Sequence, residues 1–176
     1  MNPDSRSKWM LDRQTGGGMA LMDGVHMIDR MLWLFGPDVH SVAGMVGNPV
    51  HPEIPANDTS LTQIRWSSGM TVAVSRIAYR TGVIKYGADT FCPGGQIKFR
   101  IAYGRHGTTG VWIGKNEEYA EVDVPQFNSL EQQFKEFVEA VNAGAEPPIT
   151  ATHGRQVIEV MEAMDRSSET GREVLM

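Results

Sequence analysis

A helical stretch bounded by glycines, residues 16–36, constrains the fold of this chain most strongly. Three consecutive glycines open the stretch and a single glycine closes it. Between them, apolar residues recur at spacings of four and three, which predicts a helix of about five turns with one apolar face. These apolar residues are Leu21, Val25, Ile28, Leu32 and Phe35. The rest of the chain must supply a surface that covers this face.

A neighbouring face of the same helix carries ionisable side chains. Asp29 follows His26 by three residues and Asp23 precedes it by three, so either carboxylate could accept a hydrogen bond from the imidazole and fix its tautomer. Such a histidine suits proton transfer to or from a substrate hydroxyl. The alternative is a structural histidine, hydrogen-bonded and half-buried, beside an ordinary exposed acid.

The three glycines at 16–18 do not form a dinucleotide-binding fingerprint. No apolar strand precedes them, and the spacing G-x-G-x-x-G is absent. We therefore expect them to give the backbone the freedom to approach the sheet or a ligand closely before the helix begins. The sequence predicts no cofactor site in this chain.

The middle of the chain predicts strands. Alternating patterns and short turns indicate six of them, at 39–46, 60–66, 70–78, 96–103, 109–114 and 119–124. In the second of these strands, Thr62, Ile64 and Trp66 share one face. The prediction is an α+β fold in which a largely antiparallel open sheet of about six strands has helices covering one face. Residues 1–176 are expected to form a single domain.

Two further helices are predicted near the end of the chain. Ser129 and Gln132 form a candidate capping box before an apolar stripe that ends at Gly144, and Thr152 is a candidate cap for the next helix. The stripe residues are Leu130, Phe134, Phe137 and Val141 for the first helix and Val157, Met161 and Met164 for the second. We expect both helices to cover the sheet.

Composition excludes several classes of function. The net charge is −5 and no Lys/Arg cluster is present, which argues against nucleic acid as a partner. No apolar run approaches the roughly 18 residues of a membrane span. Cys92 is the sole cysteine, so no intrachain disulfide can form, and we expect a cytoplasmic protein. His40, His51, His106 and His153 lie in unrelated contexts without ligand spacing, so no metal site is predicted.

Lys98 and Arg100 alternate with apolar residues and share one sheet face. They are candidates to contact a polar substrate or a partner subunit. The alternative is that they form the solvated side of an ordinary strand.

The order of motifs resembles a known family. A triple glycine, a histidine eight residues after its last glycine, an aspartate three residues further on and then Trp-Leu-Phe-Gly are similar to the second domain of the Gfo/Idh/MocA oxidoreductases. The resemblance continues through the strand pairs to 148–163 and 167–174, and so covers nearly the whole chain. It implies a dihydrodipicolinate-reductase-like C-terminal domain, with no Rossmann domain in this chain.

The resemblance also implies a role for His26, which matches the family histidine that contacts the reacting hydroxyl and assists proton transfer. The family usually has Asp, sometimes Asn, four residues before that histidine, whereas this chain has Met22 there and Asp23 one position later. Because a helix turns about 100° per residue, Asp23 points in a different direction from the family acid.

By resemblance, the full-length protein is an NAD(P)-dependent dehydrogenase of a sugar, polyol or cyclitol. NAD or NADP and a catalytic lysine would belong to a Rossmann domain outside this chain, and the isolated chain is expected to be inactive. The implied partners are a polyhydroxylated small molecule, the Rossmann domain and a second copy bound through the sheet face. The alternative is a non-catalytic oligomerisation or ligand-binding module with a vestigial site, which Met22 favours.

Overall fold

The computed structural model describes residues 6–78, 85–102, 109–125 and 128–176. Its α-helices are α1 (Val25–Phe35), α2 (Ser129–Ala143) and α3 (Ala151–Thr170). Its strands are β1 (Val39–Gly47), β2 (Thr59–Trp66), β3 (Thr71–Ile77), β4 (Lys85–Cys92), β5 (Gly95–Ala102), β6 (Gly110–Lys115), β7 (Glu118–Val122) and β8 (Val174–Leu175). Short 3₁₀ turns cover Lys8–Leu11 and Arg13–Thr15, and a π-helical turn covers Ala20–Gly24.

The strands form two antiparallel sheets, with the orders β3-β2-β1-β8 and β4-β5-β6-β7. The α+β, antiparallel prediction is confirmed, but the strands divide into two sheets of four where one sheet of about six was expected. Tertiary contacts likewise divide the chain into two compact units, residues 1–80 with 144–176 (the first unit) and residues 81–143 (the second unit). The additional strands are β4, whose alternation is interrupted by Gly87, and β8, which has only two residues.

In the first unit, α1 and α3 pack on one face of the sheet. Residues of β2 alternate as predicted, with Thr62, Ile64 and Trp66 buried and the residues between them exposed. The fully packed centre consists of Ile28, Leu32, Val42, Ile64, Val160, Ala163 and Met164. Because the apolar face of the predicted helix supplies Ile28 and Leu32 to this centre, its orientation toward the core is confirmed.

α3 lies against β1 at unusually short range. A Cβ added to Gly44 would lie 2.5 Å from Cγ of Met164, so only glycine permits this approach. Two serines of α3 accept backbone N–H groups of the strand, Ser167 from Gly44 and Ser168 from Val46, each at 2.9 Å. The helix is therefore fixed to the strand by polar as well as apolar contacts.

The opposite face of this sheet, here called the outer face, carries Met45, Leu61, Ile77 and Leu175 as exposed apolar side chains. A hollow of about 520 Å³ on this face is lined in part by Gln63, Arg65, Thr71 and Glu173. Arg65 and Glu173 form an ion pair with an N–O distance of 3.3 Å. The outer face thus carries apolar side chains toward one end, at Met45, Leu61 and Ile77, and the Arg65–Glu173 ion pair with Leu175 toward the other.

The second unit contains the other sheet and α2. The apolar residues of α2 are exposed, Leu130 at 76% and Phe134 at 71%. The expectation that both late helices cover the sheet is therefore wrong for α2, because an amphipathic stripe specifies an apolar face but not what covers it.

The predicted caps of α2 and α3 are both displaced. In α2, Oδ1 of Asn128 accepts the N–H of Glu131 at 3.3 Å, so the cap precedes Ser129. In α3, Oγ1 of Thr150 accepts the N–H of His153 at 3.1 Å, so the cap is Thr150 and not Thr152. In each helix, the side chain of the residue just before the first helical residue accepts one of the free N–H groups of the first turn.

Candidate functional site

The glycine run fixes how the chain enters the helix that carries His26. Gly16 (φ +88°) and Gly18 (φ +111°) have left-handed backbone conformations that favour glycine. A Cβ on Gly17 would lie 2.5 Å from the backbone of Met10, and one on Gly18 would lie 2.9 Å from the side chain of Asn57. The run therefore permits a close approach of backbone segments, as its sequence predicts.

All three glycine N–H groups donate hydrogen bonds to backbone carbonyls. Gly16 donates to the carbonyl of Arg13, Gly17 to that of Asp12 and Gly18 to that of Met10, at 2.8 to 3.1 Å. A phosphate-binding loop needs N–H groups that point at the ligand. This run therefore does not offer a phosphate site.

Asn57 anchors the turn before α1. Its side-chain Oδ1 accepts the N–H of Ala20 and its backbone carbonyl accepts the N–H of Met19, both at 2.8 Å. The π-helical turn Ala20–Gly24 follows and leads directly into α1. Sequence reasoning missed Asn57, because nothing in the local pattern around it indicates a partner 37 residues away.

His26 lies at the second position of α1 and is exposed. Within the described residues, its imidazole makes no hydrogen bond. The carboxylate of Asp29, predicted as its neighbour, lies 2.6 Å from Nε2 of His153 at the start of α3. Asp23 pairs with Arg76 of β3 at 2.9 Å. Both acids thus lie one turn from His26, and both contact other residues.

Met22, where the resemblance led us to expect an acid, is partly buried, and its N–H donates to the carbonyl of Gly18 at 3.0 Å. Asp23 does not take its place, because its carboxylate is directed to Arg76. Across the described ranges, no carboxylate is hydrogen-bonded to His26. The role of His26 in proton transfer stays a prediction, as do the supporting roles of Asp23 and Asp29.

His153 and Arg76 are site residues that sequence analysis did not identify. His153 had been placed in an unrelated context, and the structure corrects this by bringing it to Asp29 across 124 residues. Spacing within one helix reveals only neighbours three or four residues apart. A partner from another element becomes visible only when α1 and α3 pack together.

Lys98 and Arg100 lie on one face of β5 in the second unit, as predicted. The Nζ of Lys98 lies 5.3 Å from the ring centroid of Trp112 and 5.2 Å from that of Tyr119, which are favourable cation–π distances. Arg100 pairs with Asp89 at 2.5 Å. Both basic residues have partners within their own sheet, and substrate contact by either stays a prediction.

An ion pair joins the segment before the glycine run to α3. Arg13 contacts Asp165 at 2.8 Å and Glu169 at 3.8 Å. Burial raises the pKa of Asp165, an effect that the Arg13 guanidinium opposes and Glu169 and Glu162 reinforce. The other carboxylate oxygen of Asp165 is buried without a hydrogen bond within the described structure.

His51 is the most buried histidine that the structure describes. Its Nδ1 lies 3.2 Å from Glu53, and its backbone N–H donates to Asp58 at 2.6 Å. Among the described residues, no three His, Cys, Asp or Glu side chains are grouped so as to hold a metal ion. His106 lies outside the described residues.

None of the described helices has the length and apolar content needed to cross a membrane.

Solved structures share this fold. An aldose-aldose oxidoreductase from Caulobacter crescentus complexed with glycerol is similar to the whole of this chain, with 23% identity and a TM-score of 0.82. The matched part is 52% of the length of that protein. The WlbA dehydrogenase from Bordetella pertussis in complex with NADH and UDP-GlcNAcA is similar to 98% of this chain, with 19% identity and a TM-score of 0.74. The matched part is 49% of the length of that protein.

An oxidoreductase from Agrobacterium radiobacter in complex with NAD+, L-tartaric acid and magnesium is similar to 89% of this chain, with 17% identity and a TM-score of 0.71. The matched part is 48% of the length of that protein. The chain therefore spans about half the length of these structures, and at these identities the likeness concerns the fold. A search of curated proteins found no match.

The sequence itself matches a family. Residues 1–108, which include the glycine run, His26 and strands β1 to β5, fit the family described as GFO/IDH/MocA C-terminal domain. This range covers more than half of the chain, and the antiparallel sheets with three helices are the architecture of the solved structures that it resembles. The chain belongs to the GFO/IDH/MocA oxidoreductase family, of which it is a C-terminal domain.

Proposed function

We propose that this chain is the substrate-binding and assembly domain of a nicotinamide-dependent dehydrogenase that acts on a hydroxyl of a sugar, polyol or cyclitol. The observation that carries the proposal is the position of His26. It is an exposed imidazole at the start of a helix whose entry is fixed by the glycine run and Asn57. Membership of an oxidoreductase family supports the proposed reaction class.

Oxidation of a hydroxyl to a carbonyl removes a hydride from carbon and a proton from oxygen. Neutral imidazole can accept that proton through whichever ring nitrogen lacks hydrogen. Since no carboxylate within the described residues is bonded to His26, the proton then passes from the imidazole to water. His26 would act as a single-residue base in place of an acid–histidine relay.

The residues described here do not fit a nicotinamide dinucleotide. A dinucleotide pyrophosphate binds at free N–H groups after a parallel strand, at the start of a helix. Here every pairing of the described strands is antiparallel, and the glycine N–H groups donate to nearby carbonyls. We therefore assign the cofactor to residues outside this sequence and derive no step through it.

The substrate class is supported by what related structures hold. The Caulobacter protein is described as an aldose-aldose oxidoreductase with glycerol, and the Bordetella protein is described with UDP-GlcNAcA. Both are polyhydroxylated compounds. We propose the same class for this chain, with His26 at the reacting hydroxyl.

The proposal is tested first by calorimetric titration of the chain with NADH and with NADPH. We expect no binding, and clear binding would contradict the assignment of the cofactor to another domain. The second test is NMR titration with glycerol, glucose and myo-inositol, following the histidine imidazole signals. We expect one of these ligands to shift His26 and not the exposed His40, and equal or absent shifts at both would contradict the site.

Turnover provides a third test, in the full-length enzyme. We expect His26→Ala to lower turnover more than it weakens cofactor binding, because its role lies in the proton-transfer step. His40→Ala is the matched control and should leave turnover unchanged. Equal losses of turnover and cofactor affinity in the His26 variant would contradict the assigned role.

A second candidate function is a non-catalytic assembly module, favoured by Met22 at the acid position and by the apolar side chains on the outer face. A second copy of the chain is the proposed occupant of that face, since Met45, Leu61, Ile77 and Leu175 would be shielded from water there. Light scattering at micromolar concentration should detect a dimer or larger species. A monomer would exclude assembly through this face.

A further inference from the structure

Two polar contacts hold the helix segment around His26, one turn before it and one turn after it. Arg76 donates to Asp23 at 2.9 Å, and His153 contacts Asp29 at 2.6 Å. Because an ionised carboxylate can only accept, Nε2 of His153 carries the proton of the second bond. The segment is thus connected to β3 on one side of His26 and to α3 on the other.

His153 lies at the start of a helix that is fixed at both of its ends. Its N–H is capped by Thr150, and α3 is fixed to β1 through Ser167, Ser168 and the close approach at Gly44. The side chain of His153 is only 17% exposed. Its partner Asp29 is 44% exposed, so the bond is shielded on the His153 side only. A short bond from a largely buried donor to a carboxylate stabilises more than an ion pair between two exposed, flexible side chains does.

The glycine run and Asn57 fix the entry to the turn before α1, so the contacts of Asp23 and Asp29 act on the residues that follow. α1 has no side-chain hydrogen bond at its N-terminus, and the turn before it is π-helical, a geometry that is rare and frequent at functional sites. The fully buried residues of α1, Ile28 and Leu32, lie further along the helix. The polar contacts of Asp23 and Asp29 therefore act together with this entry and with the packing of Ile28 in setting the direction of the first turns of α1.

We infer that His153 is a positioning residue, which sets the direction of the His26 imidazole by holding Asp29. The inference rests on the proposed function of His26 and deepens it. Asp29 serves His26 indirectly, by fixing the helix, and not as its hydrogen-bond partner. Arg76 and Asp23 form the corresponding contact on the other side.

The test compares two substitutions in the full chain. His153→Gln keeps an N–H donor near the position of Nε2, whereas His153→Asn is one bond shorter and does not reach Asp29. Both are neutral and polar at the same helix position. Arg155→Gln, which removes an exposed ion pair with Glu159 within α3, is the control for any substitution near the start of that helix.

Two measurements are made on each variant without cofactor or substrate. Amide hydrogen exchange of residues 25–31 should accelerate about tenfold in His153→Asn, since a charge-assisted bond is lost. The imidazole signals of His26 should move in the same variant. We expect the Gln and Arg155 variants to match the original protein in both measurements.

Three results would overturn the inference. They are unchanged exchange and unchanged His26 signals in His153→Asn, failure of His153→Gln to restore them, and acceleration that is equal in residues 157–164 of α3, which would indicate only general destabilisation. The proposed function is tested separately by His26→Ala in the full-length enzyme. If His26→Ala leaves turnover unchanged, the proposed function fails and the positioning role fails with it. If only the exchange result is negative, the positioning role alone fails.

Discussion

The two units of this chain are built from similar amounts of strand but are stabilised differently. Every apolar side chain that is buried among the described residues belongs to the first unit, where α1 and α3 cover the sheet. In the second unit, the described apolar side chains are all at least partly exposed. Its sheet is organised by backbone pairing and by contacts such as Lys98 with Trp112 and Tyr119.

The difference shows that an amphipathic pattern does not by itself create a core. β2 and α3 have apolar faces, and so does α2, but only the first two face each other across a packed layer. Burial supplies roughly 25 cal/mol per Å² of apolar surface removed from water. We therefore expect stability to be concentrated in the first unit.

The sharpest test of this contrast is one substitution made in both units. Ile64→Ala, at a residue that is 1% exposed in β2, should lower the free energy of unfolding by about 2 to 5 kcal/mol, because it removes packed methyl groups and leaves a cavity. Ile113→Ala, at a residue that is 43% exposed in β6, should cost less than about 1 kcal/mol. Urea unfolding followed by circular dichroism measures both, and equal losses would refute the contrast.

A smaller effect is expected at the interface between α3 and β1. Gly44→Ala places a methyl group 2.5 Å from Cγ of Met164 and 2.7 Å from its carbonyl oxygen, and should destabilise by about 1 to 3 kcal/mol. Gly47→Ala in the same strand meets only Pro49 at 3.8 Å and serves as the control. Thermal unfolding distinguishes them, and a tolerated Gly44→Ala would mean that the helix can move away from the strand at little cost.

In the second unit, the largest local effect that we expect comes from the cation–π cluster. Lys98→Ala should lower stability by about 0.5 to 1 kcal/mol, because two aromatic rings lose their ammonium partner. Lys115→Ala, at an exposed end of β6, removes the same charge and should have almost no effect. Urea titration of the two variants compares them, and equal effects would show that charge and not ring contact matters.

The smallest predicted effect is a pH dependence in the first unit. Since burial raises the pKa of Asp165, the folded state binds its proton more readily than the unfolded state does, and this residue lowers stability as pH rises from about 4 toward neutral. In Asp165→Asn this contribution is absent. The stability of the variant relative to the original protein should therefore increase between pH 4.5 and pH 7.

Unfolding at both pH values measures that difference. Glu159→Gln, which removes an exposed acid of the same helix, is the control for loss of one negative charge. If the relative stability of the Asp165 variant falls as pH rises, the Arg13 pair outweighs burial.

Much of the first unit could be predicted from its sequence. The spacing of Ile28 and Leu32 identified α1, and the alternation around Ile64 identified β2. Both patterns arise within a single helix or strand, so they can be read from neighbouring residues in the sequence. β4 was missed, since Gly87 interrupts its pattern, and β8 has only two residues. Both depend on partner strands for their structure.

The candidate site was predictable only in part. The glycine run and His26 are local features, and sequence analysis identified both. The contact of Asp29 with His153 and that of Ala20 with Asn57 join residues 124 and 37 positions apart, which local spacing cannot reveal. Sequence spacing identified the ionisable residues near His26, but the structure shows contacts of Asp29 with His153 and of Asp23 with Arg76 that spacing did not indicate.

The discontinuity of the first unit has a consequence for biosynthesis. The sheet begins with β1 and β2, yet α3, which covers that sheet, and β8, which pairs with β1, are made only after the whole second unit. During translation, at roughly 5 to 20 residues per second, the apolar face of β1 and β2 is therefore not covered by α3 until several seconds after the strands are made. A nascent chain that stops before residue 151 would expose this face, and such chains should be the ones that chaperones retain.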